Sequence, residues 1–281
     1  MLLQYCPMPN GRLSRHATSA GARWAFDGRY LPNRIGLALL LALPSESMRA
    51  ILRDLAGEED AREPLLAPID PIQEVWAGGV TYLRSREARK AESHVADVYE
   101  RVYDAERPEL FLKSIGWRVI GSGGTVRIRK DAAWNVPEPE LVLVVNRFGE
   151  IVGYSAGNDM SSRDIEGENP LYLPQAKIYD GSCALGPDIV LADADELADV
   201  PIALTIQRDD ADVFAGSVTT AAMKRSFEEL ARYLRAEYDL PQGALLMTGT
   251  GIVPPDDFSL AIGDRIRIDV GPLILQNTVG G

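Results

Sequence analysis

The chain has 281 residues, of which 46% are hydrophobic and 25% are charged, and its formal net charge is −12. An acidic chain of this kind has no general attraction for nucleic acid or for anionic membranes, so we expect neither as a partner. The most apolar stretch, residues 35–44, ends at a proline and is much shorter than the roughly 20 residues that a membrane-spanning helix needs.

Cysteine usage points to a reducing compartment. The sequence contains Cys6 and Cys183 and no other cysteine, which is too few for a framework of disulfide bonds. The first 16 residues also lack the long apolar core of a signal peptide. We therefore expect a cytoplasmic protein.

Residues 1–70 differ in character from the rest of the chain. The segment "SESMRAILRDLAGEEDAREP" (residues 45–64) has the pattern of an amphipathic helix that begins with a capping serine. It is followed by "PLLAPIDPI" (residues 64–72), whose three prolines indicate an extended linker. This change predicts a small N-terminal domain over residues 1–70 and a larger domain over residues 71–281.

The larger segment is rich in predicted strands. A charged helical stretch over residues 85–107 is followed by short apolar runs separated by Gly, Pro and Asn, and a later helix is predicted over residues 226–243. Residues 147–150 lie between two of these runs and are typical of a hairpin turn. Residues 121–124, "GSGG", also predict a turn, because neither a Lys-Ser/Thr pair nor a helix follows them as in a phosphate-binding loop. The predicted fold is a β-rich α+β structure, arranged as a sandwich or roll.

The two histidines give little support for histidine chemistry. His16 and His94 are isolated, and neither has a partner at metal-ligand spacing. A surface or packing role is the simpler interpretation for both. A His-based catalytic triad and a His-rich zinc site are accordingly disfavoured.

Two acidic residues begin a strongly apolar run. In "WNVPEPELVLVVN" (residues 134–146), Glu138 and Glu140 are separated by a single proline. Residues two apart in a strand point to the same face, about 6.5–7 Å from each other, so two carboxylates there repel and are desolvated if buried. Either the pair lies at a solvent-exposed strand end, or both side chains hold a hard divalent cation.

Asp159 favours the interpretation that the two glutamates hold a divalent cation. It ends the apolar segment that follows the predicted hairpin turn, and a hairpin returns a strand beside its neighbour, so Asp159 can converge on the two glutamates. Three carboxylates at one point suit Mg²⁺ or Mn²⁺, with waters or substrate oxygens completing an octahedron. They fit zinc poorly.

Several segments, in the same order along the chain, resemble the fumarylacetoacetate hydrolase superfamily over roughly residues 75–279. They are "PEPELVLVVN" (137–146), "GYSAGNDMSSRD" (153–164), "QAKIYDGSCALGP" (175–187) and "MTGTGIVPP" (247–255) with "GDRIRI" (263–268). The resemblance implies a catalytic domain with a β-roll fold over residues 71–281. It also implies that Glu138, Glu140 and Asp159 bind Mg²⁺, with Mn²⁺ as the other possibility.

The family contains hydrolases, decarboxylases, isomerases, hydratases and sugar-acid dehydratases. Hydrolytic and decarboxylating members carry a His and a Glu in a lid segment after a Tyr, whereas "GVTYLRSREARKAES" (residues 79–93) has Ser85 about where that His would be. This segment and "DVYERVYDAERPELFLK" (residues 97–113) look more like the 2-keto-3-deoxy-pentonate dehydratase branch.

The resemblance thus implies a Mg²⁺-dependent hydro-lyase that acts on a small 2-keto acid. A 2-keto-3-deoxy-pentonate would be dehydrated to 2-oxoglutarate semialdehyde through an enolate that the metal stabilises. The alternatives are an acylpyruvate hydrolase or oxaloacetate decarboxylase of the same fold, and a noncatalytic protein that binds a metal and a keto acid. Family members are commonly dimers or tetramers, so a homodimer or homotetramer is expected.

Two residues are candidates for proton transfer. Lys177 can act as a base or stabilise the enolate if a nearby cation destabilises its proton, and the other interpretation is a surface lysine or a carboxylate partner. Glu109 can assist departure of the C4 hydroxyl, and its alternative is an ordinary ion pair with Arg107 or Lys113.

The remaining candidates concern substrate binding. Thr250 and Gln175 are expected to hydrogen-bond the substrate, and Arg84 and Ser85 to bind its carboxylate or hydroxyls from a lid. The other polar residues after the "SS" of residues 161–162 are expected to tie the turn together; they are Arg163 and Asp164.

Overall fold

A computed structural model describes residues 11–83 and 101–281. The strands in these ranges are β1 (Arg12–Thr18), β2 (Gly21–Phe26), β3 (Arg29–Tyr30), β4 (Leu65–Leu66), β5 (Glu74–Gly79), β6 (Glu109–Ile115), β7 (Thr125–Arg127), β8 (Asn135–Val136), β9 (Pro139–Val145), β10 (Ile151–Asp159), β11 (Ser161–Ser162), β12 (Cys183–Leu191), β13 (Pro201–Arg208), β14 (Ala211–Thr219), β15 (Ala244–Met247), β16 (Arg265–Val270) and β17 (Leu273–Gly280). The α-helices are α1 (Leu37–Leu40), α2 (Ser45–Leu55), α3 (Arg163–Glu168), α4 (Leu173–Lys177) and α5 (Phe227–Arg235). None of the helices in this part of the chain has the length and apolar character needed to cross a bilayer.

Most of the strands belong to two sheets. The larger has the order β3-β2-β1-β12-β10-β9-β15-β5-β6, with β4 paired to β1, and the smaller has the order β14-β13-β16-β17-β7. Paired strands in the described chain are antiparallel, apart from the parallel pairs of β15 with β5 and of β17 with β7. Many strands with few and short helices confirm the predicted β-rich α+β class.

The hairpin of β9 and β10 is closed by Asn146. Its side-chain Oδ1 accepts hydrogen bonds from the backbone N–H of Phe148 (3.0 Å) and of Glu150 (2.9 Å), and Gly149 supplies the left-handed backbone with φ +82°. The turn predicted at residues 147–150 is therefore confirmed. Its register places Gly157 opposite Glu140, which brings the end of β10 to the beginning of β9.

Both faces of β9 are covered, which is why all seven of its residues are buried. Leu141 and Leu143 pack into a core that includes residues of the smaller sheet, such as Ile266. Val142 and Val144 point the other way, into a second core. The residues that α1 and α2 bury in this second core are Leu37, Leu40, Met48 and Leu52.

The N-terminal segment is attached to the larger sheet through β1, which pairs antiparallel with β12. The helix predicted over residues 45–64 begins at Ser45 and ends at Leu55, with Pro44 rather than the serine at its N-cap. The chain then runs through residues 64–72, where β4 pairs with β1. The predicted boundary between residues 1–70 and residues 71–281 stays a prediction.

Two further local predictions can be compared with the structure. Helix α5 follows Ser226, whose Oγ accepts a hydrogen bond from the backbone N–H of Glu229 (3.1 Å), but it ends at Arg235 and not near residue 243. Residues 121–124 form a turn, in which the N–H of Gly124 donates to the carbonyl of Gly121 (3.1 Å). The interpretation of "GSGG" as a turn is confirmed.

Candidate active site

Three carboxylates converge where the hairpin strands meet. Glu138 lies directly before β9, Glu140 lies within it, and Asp159 is the last residue of β10; its N–H donates to the carbonyl of Glu138 (2.9 Å). One oxygen from each side chain lies within 4.8 Å of the others. The side chains are buried, so a solvent-exposed strand end is the wrong interpretation of the glutamate pair.

Each carboxylate has one oxygen against a donor that the fold holds in place. These contacts are Glu138 Oε1 with Arg163 Nη2 (3.1 Å), Glu140 Oε2 with the backbone N of Gly249 (2.6 Å), and Asp159 Oδ1 with Lys113 Nζ (2.5 Å). Buried carboxylates need such partners, because desolvation otherwise disfavours their charge. The other oxygens of Glu138 and Asp159 lie beside a lysine.

That lysine is Lys177. It is the last residue of α4, and its Nζ lies 2.8 Å from Glu138 Oε2 and 3.1 Å from Asp159 Oδ2. Lys177 is almost fully buried, as are the cationic side chains of Lys113 and Arg163. The positive charges of these three residues balance the carboxylates, which explains how so many ionisable groups can share one buried site.

Glu140 is the carboxylate whose protonation state the site perturbs most clearly. Burial, and then the neighbouring charges of Asp159 and Glu138, raise the pKa of Glu140 well above its ordinary value. Lys177 and the N–H of Gly249 offset part of this effect. A divalent cation bound beside Glu140 would favour its charged form, so the raised pKa of Glu140 is compatible with a cation site.

Gly249 adopts a backbone conformation that is possible because the residue has no side chain. Its φ is +90°, and a Cβ at this position would lie 2.1 Å from Thr81 Oγ1. The Thr81 hydroxyl is itself fixed, because it donates to the carbonyl of Thr248 (2.6 Å). The "TGTG" loop thereby turns one peptide N–H towards Glu140.

A cavity opens in front of the carboxylates and brings several predicted site residues together. Residues that line it are Glu109, Glu138, Asp159, Glu166, Lys177 and Thr250. Glu109 reaches it from β6 across Gly79, where a Cβ would come within 1.9 Å of Glu109 Oε2. The Thr250 hydroxyl accepts a hydrogen bond from the N–H of Ile252 (3.2 Å).

One described candidate, Gln175, is not brought to this point. Gln175 is exposed and is not among the residues that line the cavity; its carbonyl accepts a hydrogen bond from Arg129 Nη1 (2.9 Å). Arg84 and Ser85, like His94, lie outside the described residues. Lys113, the alternative ion-pair partner of Glu109, lies against Asp159.

Sequence reasoning missed part of the site. The side chain of Arg163, which was expected to tie the turn together, pairs with Glu138 in the site, and Asp164 Oδ2 accepts from the N–H of Ala133 (2.6 Å). Lys113 was not identified as part of the site, although alternation in "ELFLK" puts it on the same face of the strand as Glu109. The sequence signal that could have identified Lys113 was a charged residue at each end of this strand face, with Glu109 at one end and Lys113 at the other.

The sequence that builds this β-rich fold matches a known class of proteins. The family model described as the C-terminal part of fumarylacetoacetate (FAA) hydrolase matches residues 76–280. The chain belongs to the fumarylacetoacetate hydrolase family, as the sequence motifs predicted.

Two relatives are 45% identical to this chain. One, from Haloferax volcanii, is named "Probable 2-keto-3-deoxyxylonate dehydratase" and aligns over 214 residues, 75% of this chain and 73% of that protein. The other, from Saccharolobus solfataricus, is named 2-dehydro-3-deoxy-D-arabinonate dehydratase and aligns over 218 residues, 74% of this chain and 72% of that protein. The predicted resemblance to the dehydratase branch of the family is confirmed.

A solved structure is similar over nearly the whole chain. It is described as 2-keto-3-deoxy-D-arabinonate dehydratase complexed with magnesium and 2,5-dioxopentanoate; it is 33% identical, has a TM-score of 0.78, and the match covers 95% of this chain and 98% of that one. That structure contains magnesium, and this chain has a buried carboxylate group that could bind a metal ion. Both findings support the predicted Mg²⁺ cofactor.

Proposed function

We propose that this protein is a Mg²⁺-dependent hydro-lyase that dehydrates a 2-keto-3-deoxy-pentonate to 2-oxoglutarate semialdehyde. One observation carries the proposal: Glu138, Glu140 and Asp159 bring one oxygen each to within 4.8 Å of the others, and Lys177 contacts Glu138 and Asp159 at the wall of a cavity. The enzyme class is also the one named for both relatives.

Glu138, Glu140 and Asp159 would hold the Mg²⁺ ion. An ion held by these three carboxylates would leave room for the carboxylate and ketone oxygens of a 2-keto acid. When bound, Mg²⁺ supplies Lewis-acid polarisation of the substrate ketone, which acidifies the C3 proton.

Lys177 is the proposed base. Its Nζ lies beside Glu138 Oε2 and Asp159 Oδ2, two of the carboxylates that would hold the ion. Beside a bound divalent cation the Lys177 amine would lose its proton more readily, and the neutral amine would then remove a proton from C3. Burial of the side chain keeps water from competing for that proton.

Glu109 is the proposed acid. It reaches the same cavity from β6, opposite the β10 side that carries Asp159. Donation of its proton to the C4 hydroxyl releases water, and the electron pair left by the C3–H bond forms the C3–C4 double bond. Tautomerisation of the remaining allylic alcohol then gives the aldehyde.

Substrate positioning falls to residues around the cavity mouth. Thr250 lines the cavity and offers a hydroxyl. Arg84 and Ser85 remain candidates for binding the carboxylate or the hydroxyls, and Gln175 is a weaker one because its side chain is exposed. Assembly as a homodimer or homotetramer, and a cytoplasmic location, stay predictions.

The test is an assay of the purified protein against a panel of 2-keto-3-deoxy pentonates and hexonates with added Mg²⁺. A hydrazine that traps aldehydes identifies the product. We expect an aldehyde from at least one pentonate, full loss of turnover with EDTA, and recovery when Mg²⁺ is restored.

Two results would overturn the proposal. Release of pyruvate from an acylpyruvate, or decarboxylation of oxaloacetate, without any dehydration would assign the site to the other chemistries of this fold. Binding of Mg²⁺ and oxalate with no turnover of any 2-keto acid would make the protein a noncatalytic binder.

A further inference from the structure

Glu166 is a buried carboxylate at the wall of the cavity. It belongs to α3 and lines the cavity together with Glu138, Asp159 and Lys177. Its Oε2 accepts a hydrogen bond from the hydroxyl of Ser161 (2.7 Å), a side chain that is itself fully buried. Ser161 belongs to β11, which pairs with β8, so a strand pair fixes the hydroxyl that holds this carboxylate. The acid is thereby kept in one position at the cavity.

Glu166 has no task in the proposed reaction. The ionisable side chains that line the cavity in the described part of the chain are Glu109, Glu138, Asp159, Glu166 and Lys177. The proposed function assigns the other four to metal binding or to proton transfer. Burial of a carboxylate is costly unless polar contacts compensate for the lost water. A buried acid at the cavity wall is therefore suited to a contact with the molecule that the cavity binds.

A carboxylate is suited to one kind of substrate group. It has two oxygens with about four positions that accept hydrogen bonds, so the bond from Ser161 does not use up the acceptor capacity of Glu166. A substrate hydroxyl can donate to it, and a hydrogen bond to a charged acceptor is roughly twice as strong as a neutral one. A second carboxylate on the substrate is repelled instead, because like charges repel each other strongly at short range.

The candidate substrates differ in this group. A 2-keto-3-deoxy-pentonate carries a hydroxyl on C5, at the opposite end from the keto acid that the metal would hold. Oxaloacetate carries a carboxylate at its far end, and an acylpyruvate carries a ketone there, which has no proton to donate. A carboxylate acceptor beside the bound substrate therefore favours the pentonate over both alternatives.

We propose that Glu166 is a specificity-determining residue that accepts a hydrogen bond from the C5 hydroxyl of the substrate. It thereby selects a hydroxylated 2-keto acid over one with a second carboxylate. The inference rests on the proposed function, because it concerns the substrate of the same site. A merely structural role, in which Glu166 ties α3 to Ser161, would change the binding of every 2-keto acid by a similar factor. The proposed contact instead changes the ratio between their dissociation constants.

The test uses 2-keto acids with the same five-carbon chain and different groups at C5. They are 5-hydroxy-2-oxopentanoate and 2-oxoglutarate, which end in a CH₂OH group and in a carboxylate. Both lack a hydroxyl on C4, so neither can be dehydrated. Calorimetric titration of the protein in saturating Mg²⁺ gives their dissociation constants without any assay of turnover. We expect the wild-type protein to bind the hydroxylated acid more tightly than 2-oxoglutarate.

Glu166→Gln removes the charge and keeps the size of the side chain, and its amide oxygen can still accept from Ser161. We expect the ratio of the 2-oxoglutarate constant to the 5-hydroxy-2-oxopentanoate constant to fall by about tenfold or more, the scale of a hydrogen bond to a charged group. A ratio within about twofold of wild type would overturn the inference.

Glu168→Gln is the matched control. It makes the same change on the same helix, at an exposed residue that is not among those lining the cavity. We expect the ratio of the two dissociation constants to stay as in wild type. An equal shift of the ratio in this variant would show a general effect of charge and remove the assignment to Glu166.

A crystal structure of the wild-type protein with Mg²⁺ and 5-hydroxy-2-oxopentanoate decides the question if Glu166→Gln does not fold. A C5 oxygen at about 2.5–2.7 Å from a carboxylate oxygen of Glu166 is the expected geometry. A C5 oxygen that contacts other residues and not Glu166 contradicts it. Failure of the wild-type protein to dehydrate any 2-keto-3-deoxy-pentonate would refute the proposed function itself. A protein that dehydrates a pentonate but keeps its ratio in Glu166→Gln refutes the inference alone, which keeps the two failures distinct.

Discussion

The ammonium of Lys177 and the Oε2 of Glu138 are 2.8 Å apart in a buried site. This ion pair occupies the point on which the carboxylate oxygens converge, so a divalent cation has to compete with the lysine for the same oxygens. A buried ion pair that loses one partner leaves an uncompensated charge, at a cost of about 3–5 kcal/mol. Metal binding and the position of Lys177 are therefore coupled.

Replacement of Glu138 by Gln is expected to abolish metal-dependent turnover. The variant removes one anionic ligand and also leaves Arg163 and Lys177 without their shared partner. The fall in Mg²⁺ affinity, measured by calorimetry, should exceed the roughly 10–100-fold loss that follows removal of a residue behind a ligand.

The matched control for Glu138 is Asp164→Asn. Asp164 supports the neighbouring turn through the N–H of Ala133 and does not line the cavity. We expect it to keep Mg²⁺ binding. A fully active Glu138→Gln protein would contradict the ligand assignment.

The stability of the metal-free protein should depend on pH through Glu140. Its pKa is raised in the folded state, so between the ordinary value of 4.5 and the raised value the folded protein binds more protons than the unfolded chain. Stability then falls as the pH rises through this window. Glu140→Gln cannot titrate, so in EDTA its melting temperature should exceed that of wild type at about pH 8 and show a flatter pH dependence.

Asp188→Asn is a control for this pH effect. Burial also raises the pKa of Asp188, which lies near Arg12 and away from the cavity. We expect this variant to flatten the pH dependence while keeping the stabilisation by Mg²⁺. Of the two variants, only Glu140→Gln should lose the stabilisation by Mg²⁺. If Mg²⁺ still raises the melting temperature of Glu140→Gln as much as that of wild type, Glu140 is not a ligand.

The proposed roles of Lys177 and Glu109 can be separated by isotope exchange. Lys177→Met should abolish both dehydration and the exchange of C3 protons with D₂O, because the base is gone. Glu109→Gln should slow dehydration by about 10²–10⁴-fold while C3 exchange continues, because only the acid is lost. NMR of a pentonate in D₂O measures the rate of dehydration and the rate of C3 exchange. Equal loss of exchange in the two variants would contradict the assignment of Lys177 as the base and Glu109 as the acid.

Gly249→Ala should weaken both the fold and the metal site. Its φ of +90° disfavours any side chain, and a Cβ would collide with Thr81 Oγ1. We expect a loss of about 1–3 kcal/mol in the free energy of unfolding, together with weaker Mg²⁺ binding. Denaturant titration and calorimetry measure the two effects.

Gly263→Ala is the matched control for Gly249. Gly263 has a similar φ of +95°, but nothing lies within 4 Å of the position of its Cβ. Both variants carry the same backbone strain. A difference between them in stability or in Mg²⁺ affinity therefore reports the collision with Thr81 and the displacement of the Gly249 N–H. Equal effects on Mg²⁺ affinity would show that the Gly249 N–H does not position Glu140.

Local chemistry explains which parts of the site could be predicted. Glu138, Glu140 and Asp159 lie on two strands joined by a short turn, so alternation and hairpin return are enough to bring them together. Arg163 and Lys113 reach the same point from other segments, and a buried lysine looks like a surface lysine in a sequence. Their partners become visible only in the folded structure, where Lys113 of β6 contacts Asp159 and Arg163 of α3 contacts Glu138.

The residues at which helices end were harder to predict than the presence of the helices. Helix α2 stops at Leu55 although its charged pattern continues, and α5 stops at Arg235. Gln175 was expected to hydrogen-bond the substrate, but it lies two residues before Lys177 on α4, and neighbours two apart on a helix face different directions. The exposure of Gln175 follows from that geometry.

The face of β9 that presents Glu140 continues as Val142 and Val144, under α1 and α2. The row of side chains that ends in a metal ligand thus begins in a core built by the first part of the chain. A substitution such as Met48→Ala, far from any substrate, would let the side chains of this row shift. That shift would tilt the carboxylates at the end of the row. The packing of apolar residues from the first part of the chain therefore helps to set the position of a carboxylate in the site.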